Sequence, residues 1–145
     1  MIILQKEISL RPYQRGFHLI TRELVDKFPE IRKIETGVLS ILIKHTSAGI
    51  TINENADPSV RMDMETFVND LVPEKYPHFI HTYEGMDDMP AHIKCSLVGS
   101  NLTIPLSGGK LNLGIWQGIY LGEFRNNGGS RNFVLTIYGN ETGSK

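Results

Sequence analysis

The stretch that follows Gly37 constrains the fold most. Val38-Leu39-Ser40-Ile41-Leu42-Ile43 is apolar, rich in β-branched residues and short, which reads as a central strand running on to Lys44 and His45. Side chains alternate along a strand, so Leu39, Ile41, Ile43 and His45 share one face. An imidazole therefore stands at the strand's end, pointing where the core residues point.

The rest of the chain supplies strands at both ends and helices between them. Ile2, Leu4, Ile8 and Leu10 alternate in a strand that ends before Pro12, and a short helix fits residues 22–28, stopped near Pro29. Residues 50–54, Ile-Thr-Ile-Asn-Glu, form a second core strand. A helix follows, with Asp57 as N-cap and Pro58 at the first helical position. Val60, Met64, Phe67, Val68 and Leu71 recur at helical spacing until Pro73. Residues 74–87 read as loop, and Pro90 begins a shorter helix that Gly99 ends, with Asp87 and Asp88 at its positive end.

In the last third Leu102, Ile104 and Leu106 alternate. A strand from Gly114 to Phe124 puts Trp116, Gly118, Tyr120 and Gly122 on one face. The turn Asn126-Asn127-Gly128-Gly129 leads into a final strand, Phe133 to Tyr138. Without repeat or linker, this order predicts one α+β domain over residues 1–145, mainly antiparallel sheet with a few helices packed on it.

Composition excludes several classes. The 15 Lys and Arg are balanced by 16 Asp and Glu, a net charge of −1, so a basic surface for nucleic acid or anionic lipid is not expected. No apolar run approaches the roughly 20 residues of a membrane helix, and the expected setting is a soluble, cytoplasmic one. The single cysteine, Cys95, rules out an intrachain disulfide and a zinc ribbon, and reads as a small packed thiol.

Five histidines occur, at positions 18, 45, 78, 81 and 92. His45 is followed by the small residues Thr46, Ser47, Ala48 and Gly49, and His81 lies ahead of Glu84-Gly85. His92 follows Asp88 by four residues, so a carboxylate and an imidazole share a helix face, the arrangement that orients a metal-binding or general-base histidine. Three imidazoles with an open fourth position would make a catalytic zinc site; capping or surface roles are the plainer reading. Glu54 closes a strand whose inward residues are Ile50 and Ile52, which turns its carboxylate towards a partly enclosed site. Ser107-Gly108-Gly109-Lys110 and Gly128-Gly129-Ser130-Arg131 join flexible amides to a cation, as an anion cradle or as ordinary turns.

The motifs His45-Thr46-Ser47-Ala48, Asn53-Glu54-Asn55, Asp57-Pro58, Glu84-Gly85 and Asp87-Asp88-Met89-Pro90-Ala91-His92-Ile93-Lys94 appear in order. Trp116-Gln117-Gly118-Ile119 and Gly128-Gly129-Ser130-Arg131 complete the set. In this the chain, from about Ile3 to Gly139, resembles the YjbQ family, whose members are described as secondary thiamine-phosphate synthases. One position departs from that pattern: Ile115 stands where the family commonly has threonine.

The resemblance implies a homotrimer with sites near subunit contacts, and a metal held by His45, His81 and His92. The implied reaction joins a pyrimidine diphosphate to a thiazole phosphate and releases pyrophosphate, an activity regarded as weak in the family. Imidazole ligands suit zinc or another transition metal, whereas pyrophosphate departure is usually helped by Mg²⁺. Either Glu54, Asp57 and Asp88 supply a separate Mg²⁺ site, or the true reaction differs from the named one. On this reading Glu54 is the acid/base and Asp88 orients His92. Arg125 and Arg131 meet phosphate, and Thr46, Ser47, Asn53, Trp116 and Gln117 line the substrate pocket. The rivals are a metal-dependent hydrolase of a small phosphate or ester, and a non-catalytic trimeric ligand- or metal-binding protein.

Overall fold

The computed structural model describes residues 1–143. Two antiparallel sheets carry the fold. The first has five strands in the order β1 (Ile2–Ser9), β8 (Asn132–Glu141), β3 (Ile34–Ile43), β5 (Asn101–Ser107) and β6 (Lys110–Leu111). The second has three, β2 (Gly16–Leu19), β7 (Gln117–Glu123) and β4 (Ala48–Glu54). Helix α1 (Thr21–Lys27) and a 3₁₀ turn (Pro29–Lys33) link β2 to β3. Helices α2 (Pro58–Leu71) and α3 (Asp88–Val98) lie between β4 and β5 in sequence. This is the expected α+β architecture.

The main core forms where the two sheets meet. Leu39, Ile41, Ile104, Leu135 and Ile137 of the first sheet join Ile50, Ile119 and Leu121 of the second, with Leu24, Phe28 and Ile31 closing the end. A smaller cluster lies on the other side of the second sheet. There Phe17, Tyr120 and Phe124 meet Ala91 and Cys95 of α3, with Met64 and Val68 of α2 against them. Strand β7 is thus buried on both faces: Ile119 and Leu121 point one way and Tyr120 the other, as the period of two requires.

β3 is central in its sheet, between β8 and β5, but only one of its faces is covered. Leu39, Ile41 and Ile43 are buried, while Val38 and Leu42 look out to solvent. The strand covered on both faces is β7, whose two glycines, Gly118 and Gly122, masked its apolar character.

Several boundaries moved. β3 starts three residues earlier than Gly37 and stops at Ile43, leaving His45 beyond the ladder. β7 starts at Gln117, so Trp116 lies in the preceding turn. β2, four residues without clear alternation, had no counterpart in the pattern. α2 begins as expected: Asp57 accepts a hydrogen bond from the Ser59 N–H at 2.9 Å, and Pro58 follows it. Its apolar set is wider than the face the sheet covers, so Phe67 and Leu71 stay exposed. No described helix is long and apolar enough to cross a membrane.

Candidate metal centre

Helix α3 starts at Asp88 and carries His92 one turn on, while residues 72–87 bring His81 back over the helix start. The three meet at one carboxylate oxygen. Asp88 Oδ2 is 2.7 Å from His81 Nε2 and 3.1 Å from His92 Nε2, and the three atoms lie within 4.8 Å of one another.

The hydrogen-bond roles on His92 are fixed by its other partner. His92 Nδ1 lies 2.8 Å from the Thr46 carbonyl oxygen, which only accepts, so Nδ1 carries the proton. In a neutral ring, Nε2 then turns a lone pair towards an oxygen that also offers lone pairs. Burial alone would raise the Asp88 carboxyl, but the bonds to His81, the charge of His92 and Arg125 together hold it below the usual carboxylate value. Two acceptors that close call for a cation between them, either a proton on Nε2 or a metal ion. Two imidazoles and a carboxylate are also a donor set of catalytic zinc sites that keep a fourth position open. The residues therefore fit a transition metal.

A second ring of contacts holds this arrangement. Arg125 donates from Nε to Asp87 Oδ2 at 3.0 Å and from Nη2 to the Glu84 carbonyl at 2.8 Å, and its Nη1 pairs with Asp88 Oδ1. Asp87 also accepts from the Asn126 N–H at 2.9 Å; burial would raise its carboxyl, and these donors bring it below its ordinary value. Gly85 bends the loop with a φ of +112°, a conformation that favours glycine. Asp88 is thus charged, oriented and shared between a guanidinium and two imidazoles.

Next to it lies an ion pair buried in the second sheet. Arg131 donates to Glu123 from Nε at 2.8 Å and from Nη2 at 2.7 Å, the two-pronged geometry of the strongest such pairs. Glu123 is fully buried and Arg131 nearly so. A Cβ at Gly128 would run into both Glu123 and Arg131, so the turn before β8 needs glycine there. His45 packs against this pair: its Nε2 accepts from the Asn132 N–H at 2.8 Å, and its Nδ1 is 3.3 Å from Arg131 Nη1. Burial first, and the Arg131 charge second, push the His45 pKa down, so the ring is held neutral.

The family profile described as UPF0047 protein YjbQ-like matches residues 6–140. The UPF0047 protein YjbQ of Salmonella typhimurium is 50% identical over 135 residues, covering 93% of this chain and 97% of the relative. That of Escherichia coli O157:H7 is 46% identical over the same shares. The chain belongs to the YjbQ family. Among solved structures, an uncharacterised YjbQ/UPF0047 protein of Clostridium acetobutylicum is 37% identical, with a TM-score of 0.77 over 92% of this chain and 99% of that one. A hypothetical protein of Aeropyrum pernix shares the fold at 24% identity, with a TM-score of 0.82 over 94% of this chain and 99% of that one.

In this YjbQ-family chain the residues singled out in the sequence fall into two groups. His81, Asp88, His92 and Thr46 meet at the Ala48 end of β4, beside Arg125, and His45, Ser47 and Arg131 adjoin them. His45 is not brought into the cluster, because the Asn132 amide occupies its Nε2. Arg125 and Arg131 are engaged by carboxylates.

Asn53, Glu54, Trp116 and Gln117 stand at the far end of β4, about 20 Å away for a strand of that length. Glu54 accepts from the Asp57 N–H through both oxygens, at 3.2 and 3.0 Å. Gln117 Oε1 accepts from the Gly114 N–H at 2.8 Å, and Asn53 Oδ1 from the Glu54 N–H at 2.7 Å. Glu54 and Asp57 are therefore not gathered with Asp88 around one Mg²⁺. Sequence reasoning missed Glu123 and the Thr46 carbonyl. Only Glu123 left a trace, as a lone acid at the end of an otherwise uncharged strand.

Proposed function

We propose that the chain is a metal-dependent enzyme acting on a small phosphorylated heterocycle, with its metal held by His81, Asp88 and His92. The observation that carries this reading is the convergence of His81 Nε2 and His92 Nε2 on Asp88 Oδ2, with the His92 ring oriented through its Nδ1–H to the Thr46 carbonyl. A bound transition metal would supply Lewis-acid polarisation of a phosphoryl oxygen or an activated water. The protein's part is to keep Asp88 ionised through Arg125 and to orient His92 through Thr46. The reaction implied by the family resemblance is thiamine-phosphate synthesis, with Mg²⁺ entering on the diphosphate substrate. Hydrolysis of a small phosphate or ester is the second reading. It is favoured by the internal pairing of Arg125 and Arg131, which leaves few free cations for a diphosphate.

A homotrimer belongs to the same proposal. The open face of the first sheet carries a row of apolar side chains, Ile3, Tyr138 and Val38, aligned across β1, β8 and β3. Such a row is suited to a subunit contact. Sedimentation should give about three times the chain mass, falling when Tyr138 is replaced by Lys.

The decisive test is elemental analysis of untagged wild type and His92→Ala, with steady-state kinetics on both substrates. About one zinc or similar ion per chain in the wild type, lost with turnover in the variant, is the expected result. Full turnover in His92→Ala would overturn the reading, and consumption of one substrate without its partner would select hydrolysis.

A further inference from the structure

A second candidate site lies in the cleft between β2 and α2. It has a volume of about 610 Å³ and shares no residue with the His81–Asp88–His92 cluster. That volume is within the range of small-molecule sites. Its lining brings Arg11, Arg15 and Arg61 together with Tyr13 and His18, against the single carboxylate of Glu65.

The three guanidinium groups differ in what they already hold. Arg15 is neutralised inside the protein: it pairs with Glu74, lies 3.7 Å from Glu65 and donates to Asn69 at 2.8 Å. Arg11 is largely in solvent, 3.6 Å from Glu23, and its guanidinium stacks on the Tyr13 ring at 4.3 Å. The His18 ring lies 4.7 Å from Tyr13, and its Nε2 bonds the Gln14 carbonyl. The stacked rings hold Arg11 at the cleft through the face of its guanidinium, with Glu23 beside its Nε.

Arg61 has no carboxylate partner among the described residues. Its Nε is buried and makes no hydrogen bond, and its guanidinium is 5.6 Å from the Tyr120 ring centroid. Buried donors are nearly always paired, so an unpaired one on a cation beside a cleft needs an explanation. A small turn of the side chain would offer an anion two parallel N–H groups, the geometry arginine uses for phosphate.

We propose that this cleft binds a small phosphate-bearing molecule, with Arg61 taking the phosphate in a two-pronged contact and Arg11 closing over it. The site is separate from the metal centre and does not depend on that reading. Inorganic pyrophosphate is the probe, titrated by calorimetry with chelator present, so that the metal centre is empty, into wild type, Arg61→Gln, Arg61→Lys, Arg11→Gln and His92→Ala. Expected are saturable binding by wild type, a loss of tenfold or more in Arg61→Gln, and a smaller loss in Arg61→Lys. Arg11→Gln, a surface change that spares the fold, should also bind several-fold more weakly. His92→Ala should bind as wild type does, which separates the cleft from the cluster. Absence of saturable binding by wild type, full binding in both Arg61→Gln and Arg11→Gln, or loss of binding in His92→Ala would each overturn the proposal.

Discussion

The two ends of the β4–β7 ladder are built from similar residues and behave differently. At the Glu54–Gln117 end, polar side chains face backbone amides: Glu54 meets Asp57, Gln117 meets Gly114, and Asn55 donates to the carbonyls of Ile115 and Gln117. Each donor there finds an acceptor, and the result is a turn and a helix start held in place. At the Ala48–Glu123 end, charged side chains face one another, and His92 Nε2 meets Asp88 Oδ2 with lone pairs on both sides unless a cation intervenes. A polar cluster that satisfies itself is architecture. One that leaves a demand for a cation is where chemistry can be added.

The strongest way to break this comparison is to remove one acid from each end. Glu123→Ala strands the buried Arg131 charge and should cost about 3–5 kcal/mol in urea unfolding. Glu54→Ala removes a half-exposed acceptor of a backbone N–H and should cost about 1 kcal/mol. Equal costs would mean that the charged end is no more tightly organised than the other.

A second contrast concerns affinity. Arg125→Gln removes the group that holds Asp88 Oδ1 and Asp87, and should weaken zinc or cobalt binding by about 10–100-fold. Gln117→Ala should leave it unchanged. Competition against a chromogenic chelator reads both, and an unaltered Arg125→Gln would show that Arg125 only supports the fold.

The sequence disclosed these ends unequally. Asp88 and His92 were legible because four residues on a helix fix their relation. His81 was legible only as a histidine in a polar loop, since nothing local says where residues 72–87 fold back. His45 was drawn inward by extending the alternation of β3 two residues too far. The strand stops at Ile43, and the ring turns to the Asn132 amide. Glu54 and Trp116 look functional in the sequence because a carboxylate and an indole are versatile groups. Their use on a helix start and in a turn depends on partners that pattern alone does not specify. The α+β class was clear from strand and helix order, but the double burial of β7 depends on which sheet the helices cover.

A smaller effect should appear with pH. The His45 pKa is pushed down in the folded chain, so the unfolded chain binds its proton first. Stability from this group is fully present above about 6.5 and is lost as pH falls from there through the folded value. His45→Asn keeps a side-chain acceptor for the Asn132 amide without the titration. Its urea midpoint should fall less than the wild type's between about pH 6.5 and 5. Parallel curves would mean that His45 is not held neutral by its surroundings.

The smallest expected effect tests how far apart the ends are in the working protein. Trp116 is the single tryptophan and is 61% exposed, so its emission should be red-shifted and report only on its own end. Within one subunit, filling the His81–Asp88–His92 centre about 20 Å away should leave that emission in place. A blue shift on metal addition, lost in His92→Ala, would require another subunit to bring its Trp116 end against this cluster. The two ends would then be halves of one site shared between subunits. An unchanged spectrum keeps them separate, with chemistry at one end and a turn held in place at the other.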